Sequence, residues 1–173
     1  PSGQPARDSS GATLSGAVPA GHLVEVESPF GRLLRIDRDA MGRATRWLRP
    51  GASSGIGFGL DATGLLSQVT YEDGHARGYL YGEAAHTAST AQPTALTGIV
   101  DLGPSGGATR FATYQYDAQG RGVLSEHAGG AGRVTLSYGQ SGLQTQVQDA
   151  LGGVRNVQVV DVGVVAAVEG LGG

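Results

Sequence analysis

The chain has 173 residues, a formal net charge of −3 and no cysteine. It is long enough for one domain with a core, carries no strongly basic footprint for nucleic acid, and has no thiols for disulfides or thiolate metal sites. Glycine is abundant at 31 residues and only 16% of residues are charged; glycine costs roughly 1 kcal/mol per residue against alanine in a helix interior, so long helices are not expected. The glycines are dispersed among Val, Leu and Tyr, which also argues against a disordered linker. All 12 basic residues are Arg, a bias that reads as genome composition rather than chemistry. No apolar run is long enough for a transmembrane helix.

In chain order, residues 1–21 are small, polar and punctuated by Gly and Pro, and are expected to form a flexible leader. They lack the charged region and apolar run of a signal peptide. The Pro-Ser-Gly start and Gly-Leu-Gly-Gly finish read as a piece of something longer. Residues 22–173 form the second predicted region. "SPFG" at 28–31 puts Pro at the second position of a type I turn. Leu34 and Ile36 alternate before Asp39, and Phe58 and Leu60 before Asp61, with the period of two that marks strands. "YEDG" at 71–74 is a further turn. "GYLYGEAA" at 78–85 looks like a decayed copy of the stretch around Tyr114 and Tyr116. Residues 84–98 lack alternation and are predicted as a loop with one short helical turn, followed by a strand at 97–101. Tyr114 and Tyr116 then alternate before Asp117, and "AGGAG" at 128–132 and "YGQSG" at 138–142 punctuate again. The Val-rich tail after Asp149 is strand-like.

Four of these turns share one spelling: "DAMG" at 39–42, "DATG" at 61–64, "DAQG" at 117–120 and "DALG" at 149–152. Asp suits the first position of a type I turn because its carboxylate accepts from backbone N–H groups just ahead. Gly suits the last, where φ is positive. A type I turn followed by a left-handed Gly is a hairpin connection with a G1 bulge. Gly42, Gly64, Gly120 and Gly152 are therefore expected at positive φ. Turn centres recur about every 10 to 12 residues, leaving about seven residues per strand, and predict an all-β antiparallel meander of about ten to twelve strands between residues 23 and 168.

"YQYDAQGRGVLSEHAGGAGRVTLSYG" resembles the RHS (rearrangement hotspot) or YD-repeat family, as does "RGYLYGEAAHTASTAQPTALTGIVD" with its Leu-Thr-Gly-Ile-x-Asp signature at 96–101. The final "VQDALGGVRNVQVVDVGVVAAVEG" also fits, so the resemblance covers about residues 22 to 170. It implies hairpin repeats forming a segment of a spiralling β-sheet shell. In bacterial members such a shell encloses a C-terminal toxin for interbacterial competition; other members act in insecticidal toxin complexes or as animal adhesion receptors. The implied partners are a toxin domain of the same longer polypeptide, further RHS repeats and secretion-system components, with no nucleic acid and no membrane span. The implied location is secreted or cell-surface, as a bacterial effector. The chain departs from the family in four respects. It has fewer repeats than a closed shell needs. It lacks the paired Asp-Pro-x-Gly-Leu motifs where many members cut themselves, and no toxin domain follows. Leu60 and Gln148 stand where Tyr is expected before Asp61 and Asp149.

No catalytic, cofactor-binding or metal residue is assigned, no cofactor is expected, and the chain is read as a non-enzyme. His22, His75, His86 and His127 have no ligand spacing and are read as surface or loop residues. Asp39, Asp61, Asp117 and Asp149 are explained by turn chemistry rather than as carboxylate dyads. "SGIGFG" at 54–59 lacks the Lys-Ser/Thr ending of a phosphate loop and reads as a Gly-rich strand entry. Arg32, Arg35, Arg38, Arg43, Arg46 and Arg49 form a local cluster read as a solvated shell surface rather than an anion site. Trp47, the single Trp, is read as packed rather than as a sugar-stacking platform, and the tyrosines as cross-strand aromatic ladders. The competing function is a surface adhesion module binding glycans or proteins.

Overall fold

At Asp39, Asp61, Asp117 and Asp149 the chain reverses in one and the same way. The N–H of the turn Gly donates to the Asp carbonyl at 2.9–3.1 Å, and the Asp N–H donates to the carbonyl of the residue after the Gly at 2.8–3.0 Å. The Asp Oδ1 accepts two more backbone N–H groups, two and four residues ahead, in all four turns. Gly42, Gly64, Gly120 and Gly152 have φ of 81°, 89°, 79° and 85°, as expected. In the first three of these hairpins the pairing register slips by one residue beside the turn, as a G1 bulge requires.

These features come from a computed structural model that describes residues 5–7, 13–17, 21–31, 33–49, 52–140, 142–159 and 165–170. Its strands are β1 (Pro5–Arg7), β2 (Thr13–Ala17), β3 (Glu25–Glu27), β4 (Leu33–Arg38), β5 (Ala44–Leu48), β6 (Ile56–Leu60), β7 (Leu66–Thr70) and β8 (Ala76–Tyr81). They continue as β9 (Leu96–Leu102), β10 (Ala108–Tyr116), β11 (Gly122–His127), β12 (Val134–Tyr138), β13 (Gln144–Gln148), β14 (Val154–Val159) and β15 (Val165–Gly170). Short 3-10 turns stand at Ala84–His86 and Ala128–Gly130. The fold is an all-β antiparallel meander: one sheet of 13 strands in strict chain order, β3 through β15. β1 and β2 form a separate two-stranded sheet. The flexible-leader expectation for residues 1–21 otherwise falls almost wholly outside the described residues.

Two compact units emerge, Pro1–Gly78 with Asp101–Ala108, and Tyr79–Val100 with Thr109–Gly173. Residues directly opposite in antiparallel strands share a face. In the first unit this aligns Ile36, Trp47 and Ile56, and next to them Phe58 and Val69, on one apolar face. The reverse face carries Asp37 opposite Arg46. The unit's buried hydrophobics are Leu48, Val69 and Ala76, and Asp37 and Thr45 are buried as well. In the second unit Ala112 and Leu124 are buried, with Thr87 and Thr97. There Leu136 lies opposite Val147, and Tyr138, Thr145 and Val157 line up on one face. Ser137, Gln146 and Asn156 line up on the other, beside Gln144 opposite Gln158.

Three expectations change. The sheet has more strands than foreseen, partly because Gly103–Gly107 makes a turn of the same pattern without an Asp: Gly103 N–H donates to Gly107 O at 2.7 Å, and Gly106 has φ of 92°. "GYLYGEAA" does not end in a tight turn. Gly82 N–H donates to Ala95 O at 2.9 Å, closing a connection from 82 to 95, and this is the loop with one short helical turn expected over 84–98, starting two residues earlier. The following strand begins at Leu96 rather than 97 and runs to Leu102.

Candidate functional site

In the first unit the start of β4, the end of β5, the start of β6 and the turn after β7 border an open groove of about 470 Å³. Leu34 and Ile56 are its apolar lining residues, and Trp47 and Tyr71 its aromatic ones. Trp47 meets Phe58 edge to face, with ring centroids 5.0 Å apart and planes at 72°. That contact fixes the indole but does not cover it: Trp47 is 43% exposed and Tyr71 39%. The packed Trp47 of the sequence reading is thus held on its edge and open elsewhere. Tyr71 stands on a rigid turn, its N–H donating to His75 O at 2.8 Å and its carbonyl accepting from Gly74 N–H at 3.1 Å. Arg49, Glu72 and Asp73 complete the lining. Arg49 forms an ion pair with Glu72. Asp73 Oδ1 accepts from His75 N–H at 3.0 Å, and its Oδ2 lies 3.2 Å from His75 Nδ1. The His75 backbone donor holds the Asp73 carboxyl below its usual range.

The second unit has a broader depression of about 570 Å³, formed by β12, β13 and β14. Ser137, Gln144, Gln146, Asn156 and Gln158 furnish neutral donors and acceptors there, with Gln146 Nε2 3.4 Å from Asn156 Oδ1. The alternating Gln144, Gln146 and Gln148 were a legible period-two signal that the sequence reading passed over.

The Arg cluster does not form a field of free cations. Arg35 and Arg46 converge on the buried Asp37 at 3.1 and 2.9 Å. Arg43 pairs with Asp39 at 2.7 Å and Arg49 with Glu72. Arg32 lies outside the described residues. Arg38 donates to Leu23 O at 2.9 and 2.7 Å and to Gly42 O at 2.7 Å. Arg35, Arg43 and Arg49 keep their side chains largely exposed within these pairs, so the cluster is a solvated surface of matched charges.

The tyrosines do not stack on each other as a ladder. The ring contacts include Trp47 with Phe58, Phe111 with His127, and the Arg121 guanidinium 4.3 Å from the Tyr138 ring centre. Tyr116 and Tyr138 use their hydroxyls instead, donating at 2.8 Å to Leu96 O and to Gly122 O, each carbonyl being at the start of the preceding strand. Each Tyr directly precedes a turn, and so does Arg38, whose guanidinium reaches back to Leu23 O in the same manner. A donor at the end of one strand thus clasps the entry of the strand before it. Burial raises the Tyr116 phenol above its usual value, which keeps it a donor.

The histidines are dispersed. A Cβ at Gly42 would lie 2.5 Å from His22 Nε2. His75 pairs with Asp73, and His127 packs on Phe111. His86 has a buried Nδ1 with no hydrogen-bond partner. Near it, Glu83 takes a bidentate grip from Arg110 at 3.1 and 2.9 Å and a hydroxyl bond from Thr97 at 2.7 Å. Arg110 is the main cause that holds Glu83 below its usual range. Among the described residues no group of three or more His, Asp or Glu is placed to hold a metal ion. Nor is any helix among them long and apolar enough to cross a membrane. No protein-family model matches the chain, and no curated protein matches it.

Proposed function

We propose that the chain is a wall segment of an RHS-type casing, one that encloses a C-terminal toxin of a longer secreted polypeptide for delivery in competition between bacteria. The observation that carries this reading is the sheet itself, in which each strand bonds only to its sequence neighbours. An enclosing wall needs continuous backbone pairing and no specific pocket for its cargo, and closely spaced hairpins supply that continuity. The neutral amide and hydroxyl row on β12 to β14 suits a surface that touches a passenger chain without gripping it. In this reading the segment has no catalytic residue of its own, and its partners are further repeats, the toxin and the secretion machinery.

A competition and self-intoxication assay on the full-length protein tests it. Tyr116→Pro removes a ladder hydrogen bond and the clasp to Leu96 O, and should leak toxin inside the producing cell. His127→Ala should leave containment and delivery intact. A Trp47→Ala protein that keeps its toxin contained but no longer binds target cells would replace the casing with an adhesion module. Turnover by the purified chain that one His or Asp substitution removes would replace it with an enzyme.

A further inference from the structure

We propose that the groove at Trp47 is a binding site for a small quaternary ammonium ion of the choline type, held against the exposed Trp47 and Tyr71 rings and drawn there by the surplus carboxylate of Asp73. The lining sets one guanidinium, Arg49, against two carboxylates, Glu72 and Asp73. Arg49 is matched by Glu72. Asp73 has beside it the imidazole of His75, which is charged only when protonated. The His75 backbone N–H holds the Asp73 carboxyl below its usual range, so it is ionised at neutral pH. One negative charge is therefore left over beside two half-exposed aromatic rings. The face of an aromatic ring is the negative end of its quadrupole and attracts a cation within about 6 Å, Trp most strongly. Trp47 is fixed by its T-shaped contact with Phe58, so little freedom is lost when it is covered.

The kind of cation follows from the rest of the lining. A bare metal ion takes several oxygen ligands in one shell, and among the described residues no group of three or more His, Asp or Glu is placed to supply them. A guanidinium seeks a carboxylate that can take it by both oxygens. Here Asp73 Oδ1 accepts from His75 N–H at 3.0 Å, Asp73 Oδ2 lies 3.2 Å from His75 Nδ1, and Glu72 is engaged by Arg49. A primary ammonium carries three donors that each need an acceptor. A quaternary ammonium has none: it needs charge nearby and apolar contact for its methyl groups. Leu34 and Ile56 beside the two rings supply that contact. A phosphate on the same ligand would meet Glu72 and Asp73, which favours a free cation over a phosphocholine headgroup. The volume, about 470 Å³, lies within the range usual for small-molecule sites.

Trp47 is the only Trp, so its fluorescence reports the groove directly. The test titrates the purified chain with choline chloride at constant ionic strength. The comparison ligands are the neutral dimethylbutanol isostere of choline, ethanolamine and phosphocholine. Choline should shift Trp47 emission saturably and bind more tightly than any of these. Asp73→Asn should weaken choline about threefold, the size of an exposed charge interaction, and Tyr71→Leu about as much through the lost ring face. Arg49→Gln removes the guanidinium from the lining and should tighten binding. Opposite signs at two exposed side chains separate electrostatic attraction from a loss of fold. Arg155→Ala, on β14, should leave the response unchanged. Trp47→Phe, followed by ligand-observed NMR, should bind more weakly while its circular dichroism stays that of the folded chain. Absence of a saturable shift with choline would overturn the proposal. So would equal binding of the neutral isostere, which would make the groove merely apolar, equal binding of phosphocholine, or weakening by both Asp73→Asn and Arg49→Gln. The site does not rest on the casing reading: binding is read on the purified chain and toxin containment on the full-length protein, so either can fail without the other.

Discussion

The tight Asp-x-x-Gly turns and the connection from Gly82 to Ala95 do the same job by opposite means. Each tight turn closes a hairpin with its own backbone and one carboxylate, and no group beyond five consecutive residues is needed. The connection draws on side chains throughout its length. Thr87 is fully buried and its hydroxyl donates to Thr90 O at 2.9 Å. Gln92 Nε2 donates to Thr90 Oγ1 and to Asp117 O, both at 2.7 Å. Ala88 and Ser89 adopt left-handed conformations without being glycine, with φ of 48° and 56°. A self-contained turn can be copied anywhere along a sheet, whereas a connection built from side-chain partners is fixed to one place.

The sharpest way to separate the two is to place the same residue at a left-handed glycine in each. Gly82 has φ of 61°, and a Cβ there would lie 3.1 Å from both Gln92 O and Pro93 Cα. Gly120 has φ of 79° and would meet only Gln92 Oε1, at 3.8 Å. Gly82→Val combines backbone strain with crowding and should cost about 3 kcal/mol, against about 2 kcal/mol for Gly120→Val, where strain acts alone. Urea denaturation of both variants measures the difference, and equal losses would mean that crowding in the connection is relieved at no cost.

A smaller effect comes from Thr87→Val, which keeps the shape and removes the hydroxyl. Thr90 O loses its hydroxyl donor at 2.9 Å, while Glu83 O keeps the His86 N–H, and the expected loss is about 1 kcal/mol. A neutral result in the same denaturation series would show that the connection stands on packing rather than on hydrogen bonds.

The smallest effect is graded with acid and belongs to the turns. Desolvation pushes the Asp39 and Asp117 carboxyls upward but is outweighed by the backbone N–H and guanidinium of Arg43 and Arg121, so both lie below the ordinary value of 3.8. At Asp61 the Thr63 hydroxyl is the largest cause of a shift in the same direction. A depressed folded value contributes stability that is complete above the unfolded value and is lost as pH falls through the folded one. The urea midpoint should therefore hold above the ordinary carboxylate range and fall below it. Asp61→Asn retains an acceptor but has no proton to gain, so the acid slope should shrink. An unchanged slope would assign the acid loss to the other depressed carboxyls, Asp39, Asp73, Asp117 and Glu83, the last held below its ordinary value of 4.5 chiefly by Arg110.

The turns were legible because everything they need is local: a carboxylate at one end and a residue tolerant of positive φ at the other. The turn at Gly103–Gly107 was overlooked because it has no Asp, although Pro104 at its second position was a usable signal. The clasping role of Tyr116 and Tyr138 was hidden because a hydroxyl bond to the preceding strand depends on register, not on sequence spacing. Arg38 hid it further by filling the same role with different chemistry. Trp47 was read as packed because a sequence places a residue on a face but does not say what covers that face. Its exposure beside Tyr71 became visible only once β5 and the turn after β7 were brought together.

The strict order of the sheet also governs how it would answer to force. Each ladder joins only neighbours in sequence, so stability is close to a sum of nearest-neighbour terms. A pull on an outer strand would load one ladder at a time and peel the sheet like a zipper, at a low and nearly constant tension. Reversal would begin from whichever strands remain, each serving as the template for the next.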